Sequence, residues 1–407
     1  MLNRKNKFFL LTVVLLLAGC RGTTTSSVAG NTSSVVDTTP ADIQYKEKVS
    51  ETPVAFNGTN KSTFVGGAFD YSMSKLSTSE NTIISPLTLG LNYSAVSLVS
   101  GSANAVKTKL GISSLAEFSS FNSVFNWNDD SETVHRQDLL RSLTFHQIAQ
   151  TNNTLSYLLG VRETLANDGI ATITSSYANR VKDAQDFLTA KLGKKIPVPD
   201  LELDDPCVLT YSALRVKESR EDAVTGEKTF HNLSGSTSNV NGDTANHEGV
   251  YWEGTDYRAF RYSVNRTDLT FVLPNENVSL SSVDATSAYL AGENGTKERV
   301  IDGFFPYFNL KETIDYTSEF ADLFRSAGIY SGLVDNASQL KLFACKQANE
   351  FSFSEEGIEG TSLTVSGAGT ASAPAEMPEI SFVVDRPFYC FLSYYDIPLF
   401  AMTVANL

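Results

Sequence analysis

The chain has 407 residues, and 46 acidic side chains against 32 basic ones give it a formal charge of −14. No basic run appears after residue 20, which excludes nucleic-acid binding through phosphate contacts and sets the folded part against anionic lipid. His135, His146, His231 and His247 stand at no metal-ligand spacing and read as surface or loop residues; no G-x-S-x-G, phosphate loop or dinucleotide fingerprint occurs, so neither a metal nor a cofactor is expected.

The N-terminus opens with Arg4, Lys5 and Lys7, followed by an apolar run from Phe8 to Ala18. That run has about 11 residues where a membrane-spanning helix needs roughly 20, so it reads as an export signal to be removed. It ends in Leu17-Ala18-Gly19-Cys20, which looks like a bacterial lipobox with Cys20 as the thiol that is lipidated. Two acyl chains suffice for stable anchoring. Residues 1–19 are expected to be a signal peptide, and the mature chain to be exported and lipid-anchored to the bacterial membrane or cell surface, facing the extracellular space. Losing three positive charges takes the formal charge to about −17. Residues 20–60, rich in Thr, Ser, Val and Asn without a sustained period, read as a flexible tether. Cys207, Cys345 and Cys390 sit in apolar, strand-like surroundings and are expected to be buried free thiols.

From residue 61 to 407 no linker, repeat or composition break appears, so a single α+β domain is expected. Phe64, Ala68, Tyr71 and Leu76 recur at helical spacing. Leu87, Leu91, Ser94, Ala95 and Leu98 continue a helix that Pro86 can open. Val181, Ala184, Phe187, Leu188 and Leu192 make another, ending at Gly193, and Phe320, Leu323 and Phe324 a further one. Strands are expected over 207–214, 268–273, 381–384, 388–394 and 399–404. Ser85, ahead of Pro86, reads as a buried hydroxyl bonded to backbone rather than a nucleophile.

Several segments together resemble the serpin family, in order and spacing. Asn81-Thr-Ile-Ile-Ser85-Pro86-Leu-Thr88 is similar to the segment opening its second helix, and Ala184 to Ile196 to its I-N-x-W-V-x-x-x-T-x-G-K-I run. Asp268 to Glu276 is similar to its L-x-M-x-x-x-L-P-x-E strand, Glu355-Glu356-Gly357 to the start of its reactive-loop hinge, and Asp385-Arg-Pro387-Phe388 with Pro398-Leu-Phe400 to its closing strands. The resemblance implies a serpin-like fold with a large central β-sheet, additional sheets and about eight to nine helices. It also implies a suicide-substrate inhibitor of a serine or cysteine protease, acting as a monomer and supplying no catalytic group. The alternative is a non-inhibitory surface module of the same fold used for binding.

The residues of the loop support that mechanism directly. Gly360 to Ala375 carries no charge and is mostly Gly, Ala, Ser and Thr, so it is expected to be exposed and mobile before cleavage. Ile358, Gly360, Ser362, Thr364, Ser366, Ala368 and Thr370 share one strand face and are uncharged, so burying them strands no charge. Glu359, on the other face, can stay wet. The hinge is assigned to Glu355, Glu356, Gly357, Ile358, Glu359, Gly360, Thr361 and Ser362.

Family spacing counted from Glu355 places the residue ahead of the scissile bond at Ala371, with Ser372 after it, which suits an elastase-like protease. Counting back from Pro387 gives Glu376 and Met377 instead. The family's shutter falls on Ser85, Thr88, Thr210 and Gln347, where a Thr210–Gln347 hydrogen bond would replace its Asn and His. Ile358 stands where inhibitors carry Thr or Ser, and Glu218 lies nearest the place of an expected tryptophan.

Overall fold

Two β-sheets organise the fold in the computed structural model, which describes residues 41–47, 65–100, 114–128, 139–220, 223–264, 266–318, 329–340, 344–360 and 377–407. In chain order the strands begin with β1 (Asp42–Gln44), β2 (Thr82–Ile84), β3 (Asn126–Asn128), β4 (Leu139–Gln150), β5 (Ile170–Ser176) and β6 (Cys207–Ser219). Next come β7 (Thr225–His231), β8 (Thr237–Asp243), β9 (His247–Glu253), β10 (Tyr257–Val264), β11 (Thr267–Pro274) and β12 (Thr296–Pro306). The last are β13 (Phe308–Asp315), β14 (Lys346–Ser354), β15 (Gly357–Gly360), β16 (Glu379–Val383), β17 (Phe388–Tyr394) and β18 (Ile397–Val404). The described α-helices are α1 (Asp70–Met73), α2 (Pro86–Leu98), α3 (Leu115–Ser123), α4 (Val161–Asn167), α5 (Arg180–Leu192) and α6 (Ala285–Leu290).

The first sheet runs β1-β5-β4-β6-β15-β14-β13, with β3 pairing the end of β4. Its backbone is the long antiparallel ladder of β4 and β6, from Leu139↔Lys217 to Ala149↔Cys207. The second runs β2-β18-β17-β11-β10-β9-β12-β8-β7, and β16 adds a parallel strand beside β12. Every residue of β17 and β18 is buried, as continuous apolar runs in a doubly covered strand should be. The largest core cluster joins Leu87 and Leu91 of α2 to Phe271, Phe305, Phe351, Phe353, Phe388 and Phe400.

Local chemistry explains the helices that matter for the site. Ser85 caps α2 by accepting the Thr88 N–H, and Pro86 fills the first turn, where a missing N–H costs nothing. Helix α5 lays Ala184, Phe187, Leu188 and Leu192 on the first sheet against Phe145 and Ile173. It stops at Gly193, whose φ of +67° is the left-handed conformation that ends helices.

Two expectations need correction here. Residues 41–47 are not part of a tether: β1 pairs β5 at the sheet edge, and the compact unit begins at Thr38. Backbone pairing supplies what the segment's composition lacks in apolar surface. His146 and His247 are also not surface or loop residues: both are buried on strands, His146 at 0 % exposure. His231 is exposed at the end of β7. His135, the helix expected around Phe320, Leu323 and Phe324, and the segment from residue 1 to 40 with Cys20 lie outside the described residues. Among the free thiols, Cys207 and Cys390 are buried and Cys345 is half-buried.

Candidate functional site

Strand β14 ends at Ser354, and the exposed Glu355 and Glu356 turn the chain back on itself. Gly357 makes this possible. Its φ is +124°, and a Cβ there would stand 2.0 Å from the Glu218 carbonyl oxygen. The returning strand β15 lies between β6 and β14 and pairs antiparallel with both. Ile358 faces Glu218 on one side and Phe353 on the other and is 1 % exposed. Glu359 points to the solvent face, where Lys194 Nζ lies 3.1 Å and Arg215 Nη2 3.5 Å from its Oε1. The same Arg215 donates through Nη1 to the Leu192 carbonyl at the end of α5. The turn is tied down as well: the Arg220 N–H donates to the Glu356 carbonyl at 3.1 Å, and Thr225 Oγ1 donates to Glu355.

Gly360 is therefore a strand residue rather than the start of the exposed stretch expected from Gly360 to Ala375. The rest of that stretch, with Thr361, Ser362, Ala371 and Ser372, lies outside the described residues, as does Glu376. Met377 is described and precedes β16.

Beneath β15 the sheet is open. Strands β6 and β14, which β15 separates, leave a cleft of about 110 Å³ lined by Ser85, Thr88, Asn92, Thr210, Gln347 and Asn349. Leu188 of α5 and the segment from Ile196 to Pro199 lie over it. A smaller cleft of about 70 Å³ adjoins it and shares Thr210 and Cys345. Burial pushes the Cys345 thiol up to about 12, so it stays protonated at neutral pH.

Ser85, Thr88, Thr210 and Gln347, the residues the resemblance assigns to a shutter, all line this cleft, but without the bond expected. Thr210 and Gln347 form no bond with each other. Gln347 Nε2 donates to the Ser85 carbonyl at 2.8 Å and to Thr88 Oγ1 at 2.9 Å, while its Oε1 accepts the Ser85 N–H at 3.2 Å. Asn349 adds a bond to the Ile83 carbonyl at 2.9 Å. Together these fasten β14 to the start of α2. Thr210 is held from the other side, 2.9 Å from His146 Nδ1 and 3.1 Å from the Tyr330 hydroxyl. The Asn92 amide donates to its backbone carbonyl at 2.8 Å. The open cleft between the strands keeps Thr210 and Gln347 apart, so each finds its own partners. Burial drives the His146 pKa down to about 3, which keeps the ring neutral.

Sequence reasoning missed His146, Asn92, Asn349 and Tyr330. It also missed a buried ionic group: Arg220 Nη2 forms an ion pair with Asp243 Oδ2 at 2.6 Å, and His247 Nε2 donates to the same oxygen at 2.7 Å. Burial raises the Asp243 pKa, but the bonds from His247 and the Ala245 N–H and the Arg220 charge hold it below its ordinary value. Arg220 follows Ser219 directly, so this group anchors the segment that holds the hinge turn.

No family model and no curated protein matches the sequence. Solved structures do. The native state of the thermophilic serpin Tengpin superposes with a TM-score of 0.64 at 17% identity, over 91% of this chain and 100% of that one. The chain has the serpin fold. Arabidopsis AtSerpin1 in its native stressed conformation, a serpin-fold relative by structure, matches with a TM-score of 0.64 at 17% identity over 85% of this chain and 96% of its own. Human thyroxine-binding globulin gives 0.66 at 14% identity, over 86% and 97%. In this chain the short strand β15 lies between β6 and β14 in the first sheet.

Proposed function

We propose that the protein is an inhibitor of extracellular proteases that acts as a suicide substrate, and one observation carries the reading. The hinge residues Gly357 to Gly360 form a strand between β6 and β14, with an unfilled cleft directly below. If the cut loop continued in the register of β15, Ser362 would stand between Leu214 and Asn349, Thr364 between Ser212 and Gln347, and Ser366 between Thr210 and Cys345. Each of these loop side chains is small and uncharged, so its burial leaves no stranded charge. Solved relatives include both a native stressed conformation and a cleaved serpin, which supports a fold with two states.

In this reading a protease attacks the loop and forms its acyl-enzyme. The cut loop then extends β15 down the cleft and carries the protease across the molecule, distorting its catalytic groups before deacylation. The bond assigned is Ala371–Ser372, with Glu376–Met377 as the alternative; the small Ala371 suits an elastase-like serine protease. The protein works as a monomer, exported and held by lipid at Cys20.

Mixing the purified domain with a panel of serine and cysteine proteases tests this on denaturing gels. A covalent, detergent-resistant adduct is expected; clean loop cleavage with every protease left active overturns it. A second reading, a non-inhibitory binding module, is favoured by Ile358, whose bulk fills the first buried hinge position. Thyroxine-binding globulin, solved with thyroxine, has the same fold at 15% identity.

A further inference from the structure

We infer that Leu158 and Leu159 form an apolar tip that dips into the surface of the membrane carrying the anchor, so that the domain stands on the bilayer with its hinge turned away. The inference rests on the lipid-anchor reading above. Leu159 is 105 % exposed and Leu158 37 %, side by side in the turn between β4 and α4. The residues flanking them point the other way: Tyr157 and Val161 pack against the main core. Bonds on every side fix the turn. The Tyr157 hydroxyl lies 3.0 Å from the His146 carbonyl oxygen and 2.7 Å from that of Ile173. The Leu158 N–H donates to the Leu333 carbonyl at 3.0 Å, and the Asp335 carboxylate accepts from the Ser156 N–H and hydroxyl. Gly160, at a φ of +76°, then bends the chain into α4. Two leucines held outward in a turn this well fastened are on display.

The strand register puts this tip at the end of the first sheet where the chain enters it. Strand β4 runs toward the tip and ends at Gln150, beside Ser176 of β5, while Ala149 pairs with Cys207 at the start of β6. Strand β1 begins at that end too, with Asp42 opposite Thr174, and runs away from it. Arg162, three residues past Leu159, forms an ion pair with Asp42. Cys20 precedes Ala41 by 21 residues, which span at most about 70 Å. An anchor there brings the bilayer to this end. The hinge lies at the opposite one, where Gly357 pairs with Ser219, about 40 Å away along the 13 residues of β6. Two leucines alone hold a free protein poorly. On a tethered domain the second contact is intramolecular, and each leucine buried in lipid raises the docked population roughly tenfold. The exposed Glu163 in the first turn of α4 and the formal charge of −14 favour a neutral lipid surface over an anionic one. A cut loop lengthening β15 would run toward this same end, and a hold of two side chains is weak enough to give way to a protease carried with it.

The test uses the full chain, produced and processed in a bacterial host and reconstituted into phosphatidylcholine vesicles. Leu159→Trp puts a reporter at the tip, and vesicles with brominated acyl chains quench an indole that reaches them. The added fluorescence, measured against the unaltered chain with its own two tryptophans, is expected to fall by about half. Adding Leu158→Ser should shift the docked-to-free ratio about tenfold towards the free state. Replacing part of the phosphatidylcholine with phosphatidylglycerol should also weaken the quenching. Added fluorescence that brominated lipid leaves untouched overturns the tip. The same result together with a dimer in sedimentation that Leu158→Ser abolishes also overturns it, and assigns the leucines to a second copy of the chain. Mass spectrometry of the N-terminal peptide reads the anchor separately. An unmodified Cys20 removes the lipid-anchor reading and the tip with it, whereas a lipidated Cys20 without quenching removes the tip alone.

Discussion

The α-carbon of Gly357 lies against the carbonyl of Glu218, so close that any Cβ would stand 2.0 Å from that oxygen. This contact lets the chain turn from β14 into the space beside β6. Gly357→Ala is expected to push β15 out of the sheet. A side chain at this φ costs about 1–3 kcal/mol before the clash is counted. Hydrogen exchange at residues 358–360 should rise, and limited proteolysis of the loop should speed up. Unchanged protection of those amides would show that the turn does not depend on glycine.

Gln347 joins β14 to α2 through three hydrogen bonds. Replacing it with alanine leaves the Ser85 N–H and carbonyl without these buried partners, at a cost of about 1–3 kcal/mol. Denaturant unfolding of Gln347→Ala should show a lower midpoint with an unchanged slope. Because the same bonds hold β14 where it is, loop entry after cleavage should also change in rate.

His146 predicts a pH dependence. Its folded pKa is depressed to about 3 against an ordinary value of 6.5, so below pH 6.5 the unfolded chain binds the proton and the folded one does not. Stability from this group is therefore present above the unfolded pKa and is lost as pH falls towards 3, by about 1.4 kcal/mol per pH unit once below 6.5. His146→Gln should flatten the stability profile between pH 6 and 4, measured by urea unfolding. An equally steep profile in that variant would assign the acid sensitivity elsewhere.

Glu359 and its two cations sit on the wet face of the sheet, with the Glu359 side chain 42% exposed. Glu359→Gln should therefore cost less than about 1 kcal/mol and abolish most of the salt dependence of hinge protection. Arg215→Ala should cost more, because Arg215 also caps the Leu192 carbonyl. Comparing the two by hydrogen exchange at several salt concentrations separates the ion pair from the helix cap.

Much of this was legible in the residues. Ser85-Pro86 announced the start of α2, Gly193 the end of α5, and the apolar runs near the C-terminus became β17 and β18. The assignment of Ile358 to the buried face and Glu359 to the wet one matches the structure. His146 escaped because every residue of β4 from Leu143 to Gln150 is buried. A strand covered on both faces shows no alternation by which a buried histidine can be told from an exposed one. Strand β1 escaped for the opposite reason: it is three residues of edge strand held by backbone and ion pairs, with no apolar stripe of its own.

By itself the sequence determined several helices, the C-terminal strands, the Pro86 and Gly193 helix boundaries and the uncharged, small-residue chemistry of residues 360–375, because these depend on neighbours a few positions apart. Only the tertiary structure decided that β15 lies between β6 and β14, that Gln347 and Thr210 bond to opposite walls, and that Tyr45 reaches Phe187. Those facts depend on strand order and on how far apart two strands stand, and contacts between residues more than a hundred positions apart leave no local pattern to read.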